Sequence, residues 1–178
     1  MPKQMVMINR APVLTLWACV VAERLGYEHD AALTLGKAVA GLNAQSKGRM
    51  LGIFGPRKRL EPGRPPKKVG LGEEFWINLC RRGVPVKNTD QGIRAVVKDR
   101  PIDPDKVESY LKGKFGDDLE PTISTMQDLA QSLEPDELAK RSYPLYEKFR
   151  PEIPPGQRGW GAKGKLNLDL IRSLTKKD

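Results

Sequence analysis

The first part of the chain carries apolar residues at the spacing of two packed helices. After Pro12, which suits a first helical turn, one apolar face is formed by Val13, Leu16, Trp17, Val20 and Val21. A second apolar stripe leaves this helix little polar surface, so we predict a central helix that ends at Gly26. A second helix is predicted from Asp30, and its small residues favour close approach of another backbone: Gly36, Ala40 and Gly41. Residues 1–54 are therefore predicted to form a helical hairpin.

Residues 55–72 break this periodicity and are predicted to be a basic connector. The stretch is rich in Gly and Pro and has no apolar face at helical spacing. Within residues 55–70, six basic side chains stand against Glu61 alone. This is the clearest internal boundary, and it predicts a solvent-exposed loop or linker.

The region after the connector begins with two short predicted elements. Residues 73–82 carry apolar side chains, carboxylates at the start and arginines at the end, an order that suits a helix and its dipole. Residues 84–97 predict a small β-hairpin, in which Pro85 confines its strand to a sheet edge. A winged-helix protein, with three helices before a hairpin, is a minority alternative. It lacks the short turn between its second and third helices that a helix-turn-helix needs.

Three further helices have clear start signals, because an acidic residue followed by proline opens each of them. Their predicted ranges are 103–116, 120–133 and 134–149. Pro144 should kink or split the last one, because proline lacks the amide that bonds back four residues. Residues 153–165 are predicted to be irregular, and residues 166–174 to form a final short helix.

The predicted fold class is mainly α: an N-terminal helical hairpin, a basic Pro/Gly-rich connector and a C-terminal helical region with a small β-hairpin. The predicted domain ranges are 1–54, 55–72 and 73–178, with one integrated domain as the alternative. A chain of 178 residues is long enough for either arrangement without disulfide support.

Charge is unevenly distributed along the chain. The 31 Lys and Arg residues exceed the 22 Asp and Glu residues by 9, which makes polyanions the first partner class to consider. Residues 103–137 carry −7, from three basic and ten acidic groups, whereas residues 138–178 carry +6, from ten basic and four acidic groups. A uniformly basic coat is therefore excluded. The acidic helices either face away from a polyanion or neutralise the basic connector.

The two cysteines and the apolar runs bear on the compartment. Cys19 and Cys80 each lie in an apolar pattern, which predicts buried free thiols and a reducing, cytoplasmic location. The longest apolar run, Ala11 to Ala22, is shorter than the roughly 20 residues of a membrane span. No membrane partner is predicted.

Enzyme chemistry finds no support in the residue pattern. His29 is the only histidine, so any His-based metal cluster or nucleophile pair must include this residue, whose predicted role is that of a solvated turn residue. No Cys-x-x-Cys pair is present, and Gly36-Lys37 and Gly113-Lys114 lack the Ser or Thr of a phosphate-binding loop. We therefore predict no catalytic residues, no metal site and no cofactor.

Clustered cations in flexible backbone are the strongest functional signal. The predicted nucleic-acid contacts are Lys47, Arg49, Arg57, Lys58, Arg59, Arg64, Lys67, Lys68, Arg158, Lys163 and Lys165. An extended Pro/Gly backbone carrying such cations binds phosphates without sequence preference. Gly63-Arg64-Pro65 resembles the core of an AT-hook, a minor-groove peptide, although Pro62 stands where that motif has arginine. The connector's other interpretation is a solvated linker, and Trp160 either stacks on a base or packs into its own domain.

The predicted function is noncatalytic binding of DNA or RNA through phosphate contacts. The main alternative is a protein-interaction or homo-oligomerisation module that uses the apolar faces of the helical hairpin. An enzyme acting on phosphorylated small molecules is the third hypothesis, and it requires an enclosed pocket lined by Lys and Arg.

Overall fold

A computed structural model describes residues 5–45, 58–59, 70–80, 82–97, 100–151 and 163–175. Six α-helices occur in these ranges: α1 (Arg10–Leu25), α2 (His29–Gln45), α3 (Pro104–Phe115), α4 (Leu119–Gln131), α5 (Pro135–Phe149) and α6 (Leu168–Leu174). They are accompanied by seven strands: β1 (Met5–Asn9), β2 (Lys58–Arg59), β3 (Glu74–Leu79), β4 (Arg82–Thr89), β5 (Gly92–Val97), β6 (Arg100–Pro101) and β7 (Lys163–Asn167). One turn of 3-10 helix joins α3 to α4.

The predicted helical hairpin is confirmed by α1 and α2. Gly26 ends α1 with φ of 114°, a left-handed conformation that favours glycine, and its N–H donates to the last turn of α1. Gly36 meets the prediction of close approach, because a Cβ there would collide with the carbonyl oxygen of Thr15 on α1. For Gly41 that prediction is wrong, since an added Cβ would contact none of the described atoms.

Helix α1 is central, as its apolar circumference predicts. It packs against α2, α3, α4, α5 and β1. The consecutive residues Val13, Leu14 and Thr15 point in directions about 100° apart around the helix, and each has no measurable exposure. Burial on every side removes α1 from the molecular surface except near its ends.

The prediction of a mainly α fold is wrong, because two sheets accompany the helices and the chain is α+β. The larger sheet has five strands in the order β2-β3-β4-β5-β6, all antiparallel except the short β2–β3 pair. Helix α2 packs against β4 and β5. The sheet therefore completes the core on the side of α2 that does not face α1.

The predicted third helix is instead strand β3. Its side chains alternate, with Phe75, Ile77 and Leu79 buried and the residues between them more exposed. A short apolar run is compatible with either a helical or a strand periodicity. Here β3 pairs with β4 along its whole length, and this pairing supplies its backbone hydrogen bonds, whereas a short isolated helix is only marginally stable. The winged-helix alternative requires a helix at this position, and the structure has a strand there.

The predicted β-hairpin is confirmed as β4 and β5, but the prediction that Pro85 confines its strand to an edge is wrong. Strand β4 lies between β3 and β5, and Pro85 is paired with Trp76 of β3. The pairing of β4 with β5 begins only at Val86, one residue later. An interior strand tolerates Pro85 because no residue of β5 is paired with it, so the missing N–H of proline is not needed on that side.

The smaller sheet was not predicted. Strand β1 pairs antiparallel with β7, from Met5 opposite Asn167 to Asn9 opposite Lys163. Residues 163–165 therefore belong to a regular strand, which corrects the irregular interpretation of that part, and the final helix begins at Leu168 rather than 166. Strand β1 is largely apolar, but β7 has only one large apolar residue, Leu166, and the pairing joins residues about 160 positions apart, so the local sequence does not predict it.

The helices α3, α4 and α5 confirm three predicted ranges within a few residues. The side chain of Asp103 accepts a hydrogen bond from the N–H of Asp105 and caps α3, as the Asp-Pro signal predicts. Pro144 does not split α5, which continues from Pro135 to Phe149. In the part of the chain that is described, no helix combines the length and apolarity needed to cross a bilayer.

One core runs through these elements. Buried side chains of α1, α2, the large sheet and the C-terminal helices form a single hydrophobic cluster. Both thiols, Cys19 and Cys80, are free and buried, as predicted.

Candidate functional site

The basic connector is represented in the structure by two residues. Lys58 and Arg59 form β2, where Lys58 is paired with Phe75 and Arg59 with Trp76 at the edge of the large sheet. The solvent-exposed loop predicted for this stretch is thus wrong at these two positions, because strand pairing with β3 fixes their backbone. Seven other predicted contacts lie outside the described residues: Lys47, Arg49, Arg57, Arg64, Lys67, Lys68 and Arg158.

The two remaining predicted contacts lie together on β7. Lys163 pairs with Asn9 and Lys165 pairs with Met7, so both lysines occupy the same face of the β1–β7 ribbon. This face points to solvent: Lys165 is exposed, and Met7 is 56% exposed. Val6 and Leu166 fill the opposite face and are buried in the core. The ribbon therefore presents Lys165 to solvent on a backbone held by the core, and Lys163 stands two residues before it on β7.

Two described residues, Pro151 and Lys163, flank residues 152–162, a stretch of sequence that includes Arg158 and Trp160. On one side, the Nε of Arg10 donates to the carbonyl oxygen of Pro151 at 2.9 Å. On the other side, Lys163 is paired with Asn9, the neighbour of Arg10. Pro151 and Lys163 are thus both held at the junction of β1 and α1.

That junction brings together the chain segments that carry four basic residues. It contains the first turn of α1, which has no acidic residue and no side-chain cap from Asn9. Because the unpaired N–H groups of a first turn carry partial positive charge, a helix without an acidic first turn favours an anion there. Arg10 and Arg150 add two guanidinium groups. We call Arg10, Arg150, Lys163 and Lys165 the basic corner.

Tyr146 lies beneath this corner with its hydroxyl buried. Its side chain has no measurable exposure, and its hydroxyl has no hydrogen-bond partner among the described residues. Burial raises the pKa of Tyr146, while Arg10 and Arg150 act in the opposite direction, so the phenol is neutral. The phenol therefore adds no charge to the corner, and its hydroxyl is enclosed by the protein.

Two other basic side chains are held by the protein itself. The guanidinium of Arg94 is buried and donates to the carbonyl oxygens of Ile93 and Gln91, with Asp30 at 3.9 Å. Lys37 lies over the ring of Tyr110, with its Nζ 3.8 Å from the ring centroid. These cations stabilise the fold and are not part of the basic corner.

A second cluster brings together Cys19, Glu23 and His29. The Nδ1 of His29 lies 2.6 Å from Oε1 of Glu23, and the Sγ of Cys19 lies 3.7 Å from the same oxygen. Burial and, to a lesser extent, the charge of Glu23 raise the pKa of the Cys19 thiol. The thiol therefore stays protonated, and its S–H donates a hydrogen bond to the Glu23 carboxylate. His29 is 60% exposed at its side chain, as expected for a solvated residue, but it is not isolated.

This cluster was missed because its members were assessed one at a time. Cys19 and Glu23 are four residues apart on a helix, a spacing that places both side chains on one face. The left-handed Gly26 then reverses the chain, so His29 returns to the end of α1. Helical spacing followed by a glycine-terminated turn was the signal available in the sequence.

Comparisons with family models, curated proteins and solved structures find no match for this chain. Function therefore rests on the geometry of the two clusters.

Proposed function

We propose that this protein binds nucleic acid without catalysis, through phosphate contacts at the basic corner. The observation that carries the proposal is that Pro151 and Lys163, which flank residues 152–162, both contact the Asn9–Arg10 junction. Arg158 and Trp160 stand between these two residues in the sequence, so we include them in the proposed binding region.

The chemistry of the corner suits a phosphodiester chain. Lys and Arg displace counterions from phosphates and give affinity that depends steeply on salt. The first turn of α1 has no acidic residue, and phosphate oxygens are favoured near such a positive helix end. A tryptophan in a glycine-rich segment beside such cations can stack on an unpaired base. We therefore expect single-stranded nucleic acid to bind at least as well as duplex.

The basic connector has a comparable attachment. On one side of residues 60–69, Arg59 is paired with Trp76 of β3, and on the other side the described chain resumes at Gly70. There the N–H of Gly70 donates to Glu73 at 3.0 Å, and the side chain of Asn88 donates to the Gly70 carbonyl oxygen at 3.2 Å. The described residues on both sides of 60–69 thus contact the large sheet, and we propose Arg64, Lys67 and Lys68 as further phosphate contacts.

The interaction-module alternative has less support. Its proposed partner surface was the apolar faces of α1 and α2, and these faces are covered by the chain's own α4, α5 and large sheet. Homo-oligomerisation through the hairpin would require this core to open. The hypothesis of an enzyme acting on phosphorylated small molecules also has less support. It requires a pocket lined by several Lys and Arg residues, and the groove beside Cys19 has Lys112 as its one such residue among those described.

Neutralising the two ribbon lysines together is expected to weaken nucleic-acid binding. For the double variant Lys163→Gln, Lys165→Gln, affinity should fall roughly tenfold, and the slope of log affinity against log salt should decrease by about 1 for each lost phosphate contact. Fluorescence anisotropy with labelled single-stranded DNA and RNA measures both quantities. The fold should be unaffected, because Lys165 is exposed.

The matched control is Lys106→Gln, Lys112→Gln, which removes the same charge from exposed positions on α3. This variant should bind almost as the parent does. Equal losses in the two double variants would mean that only net charge matters, and the basic corner would lose its assignment.

A further inference from the structure

We propose that Cys19, Glu23 and His29 form a binding site for a divalent cation of the zinc class. The three side chains offer a sulfur, an oxygen and a nitrogen donor, and these atoms lie within 4.8 Å of one another. Thiolate, imidazole and carboxylate are the ligands that zinc uses in proteins. Harder cations such as magnesium and calcium prefer oxygen ligands alone, so the donor set excludes them as first choice.

The distances fit one shared cation after a small adjustment. Zinc bonds of about 2.0 to 2.3 Å at tetrahedral angles place ligand atoms about 3.3 to 3.6 Å apart. The separation of 3.7 Å between Cys19 Sγ and Glu23 Oε1 is close to this range. The 2.6 Å contact between His29 and Glu23 must open by less than about 1 Å. Both side chains have room to move, since they are 60% and 33% exposed.

The backbone around the cluster holds the donors in place before a cation arrives. Cys19 and Glu23 project from one face of α1, a helix packed on all sides near its middle. Two backbone hydrogen bonds fix the turn at Gly26. The N–H of Gly26 donates to the backbone carbonyl oxygen of Glu23 and the N–H of Tyr27 to that of Ala22, at 3.0 Å each. The two protein segments that carry the ligands therefore keep their relative position, and only side-chain rotations are required.

A groove of about 260 Å³ borders the three donors and lies between α1, α2, α3 and α4. Its walls are mostly apolar, including Leu16, Leu33 and Ile123, and its polar lining beyond the three donors consists of Glu108, Lys112 and Gln127. With three protein ligands, a tetrahedral cation keeps one position for water, and this position adjoins the groove. Cation binding replaces the thiol proton of Cys19, which leaves to solvent.

Cobalt(II) titration of the full chain, prepared without a histidine tag, tests the proposal. Cobalt replaces zinc in such sites and gives a thiolate-to-cobalt absorption band in the near ultraviolet. We expect this band to saturate at one cobalt per chain and to disappear when zinc is added. The variant Cys19→Ser should lose the band, whereas Cys80→Ser, which alters the other buried thiol, should keep it.

The buried Cys19→Ser substitution can disturb folding, so a second variant, His29→Gln, is needed. It removes a proposed ligand from an exposed side chain and should leave the fold intact. It should weaken cobalt affinity at least about tenfold while leaving the circular dichroism spectrum unchanged. A parent protein without the thiolate band overturns the proposal, and the trio is then only a hydrogen-bonded link between α1 and α2. A band that survives in both Cys19→Ser and His29→Gln overturns it equally. Neither result bears on nucleic-acid binding.

Discussion

Replacing Gly36 by alanine is expected to destabilise the protein by about 3 kcal/mol, because this single methyl group has no space. The added Cβ would collide with the Thr15 carbonyl oxygen and lie 3.0 Å from the backbone N of Cys19. Both are backbone atoms of the central helix, so no side-chain rotation relieves the contact. The two helices must separate, and the core between them loses packing. Urea denaturation followed by circular dichroism measures the loss.

The matched control lies in the same helix. At Gly41 an added Cβ meets none of the described atoms, so Gly41→Ala should be neutral or should stabilise by roughly 0.5 to 1 kcal/mol through helix propensity. If the two alanine variants had the same stability, the close approach of α1 and α2 would be disproved.

The substitution Trp17→Ala is expected to cost about 3 to 5 kcal/mol, a large share of the stability of a domain of this size. The indole is fully buried, and its N–H donates to the carbonyl oxygen of Ser142 at 2.8 Å. It also meets the ring of Phe149 edge-on, with centroids 5.3 Å apart. Alanine removes all these contacts and leaves a cavity between α1 and α5.

A graded variant separates packing from hydrogen bonding. Trp17→Phe keeps an aromatic ring but removes the N–H group, so its cost should be smaller, roughly 1 to 3 kcal/mol. The same denaturation experiment provides the comparison. A Trp17→Ala protein within about 1 kcal/mol of the parent would contradict the central position of α1, since a surface substitution costs no more than that.

The helices were predictable because their signals are local. Pro12, Gly26 and the Asp103-Pro104 pair mark helix ends by backbone geometry that depends on few neighbours. The β1–β7 ribbon was not predictable, because its strands are five residues each and lie at opposite ends of the chain. Strand β3 was misassigned since its apolar run is short enough to fit either period, and only its partner β4 decides between them.

The candidate sites likewise combine residues that the local sequence predicts with residues that only tertiary packing brings together. Lys163 and Lys165 were predicted from local cation density, and the structure adds that β7 presents them on one face. Arg10 and Arg150 were not predicted, because they reach the basic corner only when α1 and α5 pack together. The cluster of Cys19, Glu23 and His29 required the turn at Gly26 to be combined with helical spacing.

The most direct measurement of the central proposal is the affinity of the unmodified protein for nucleic acid at two salt concentrations. Labelled duplex DNA, single-stranded DNA and structured RNA should be titrated at about 50 and 200 mM salt. If four phosphates are contacted, affinity should fall about 100-fold between these concentrations. Absence of binding at the lower salt, or binding that salt does not weaken, would contradict the proposal.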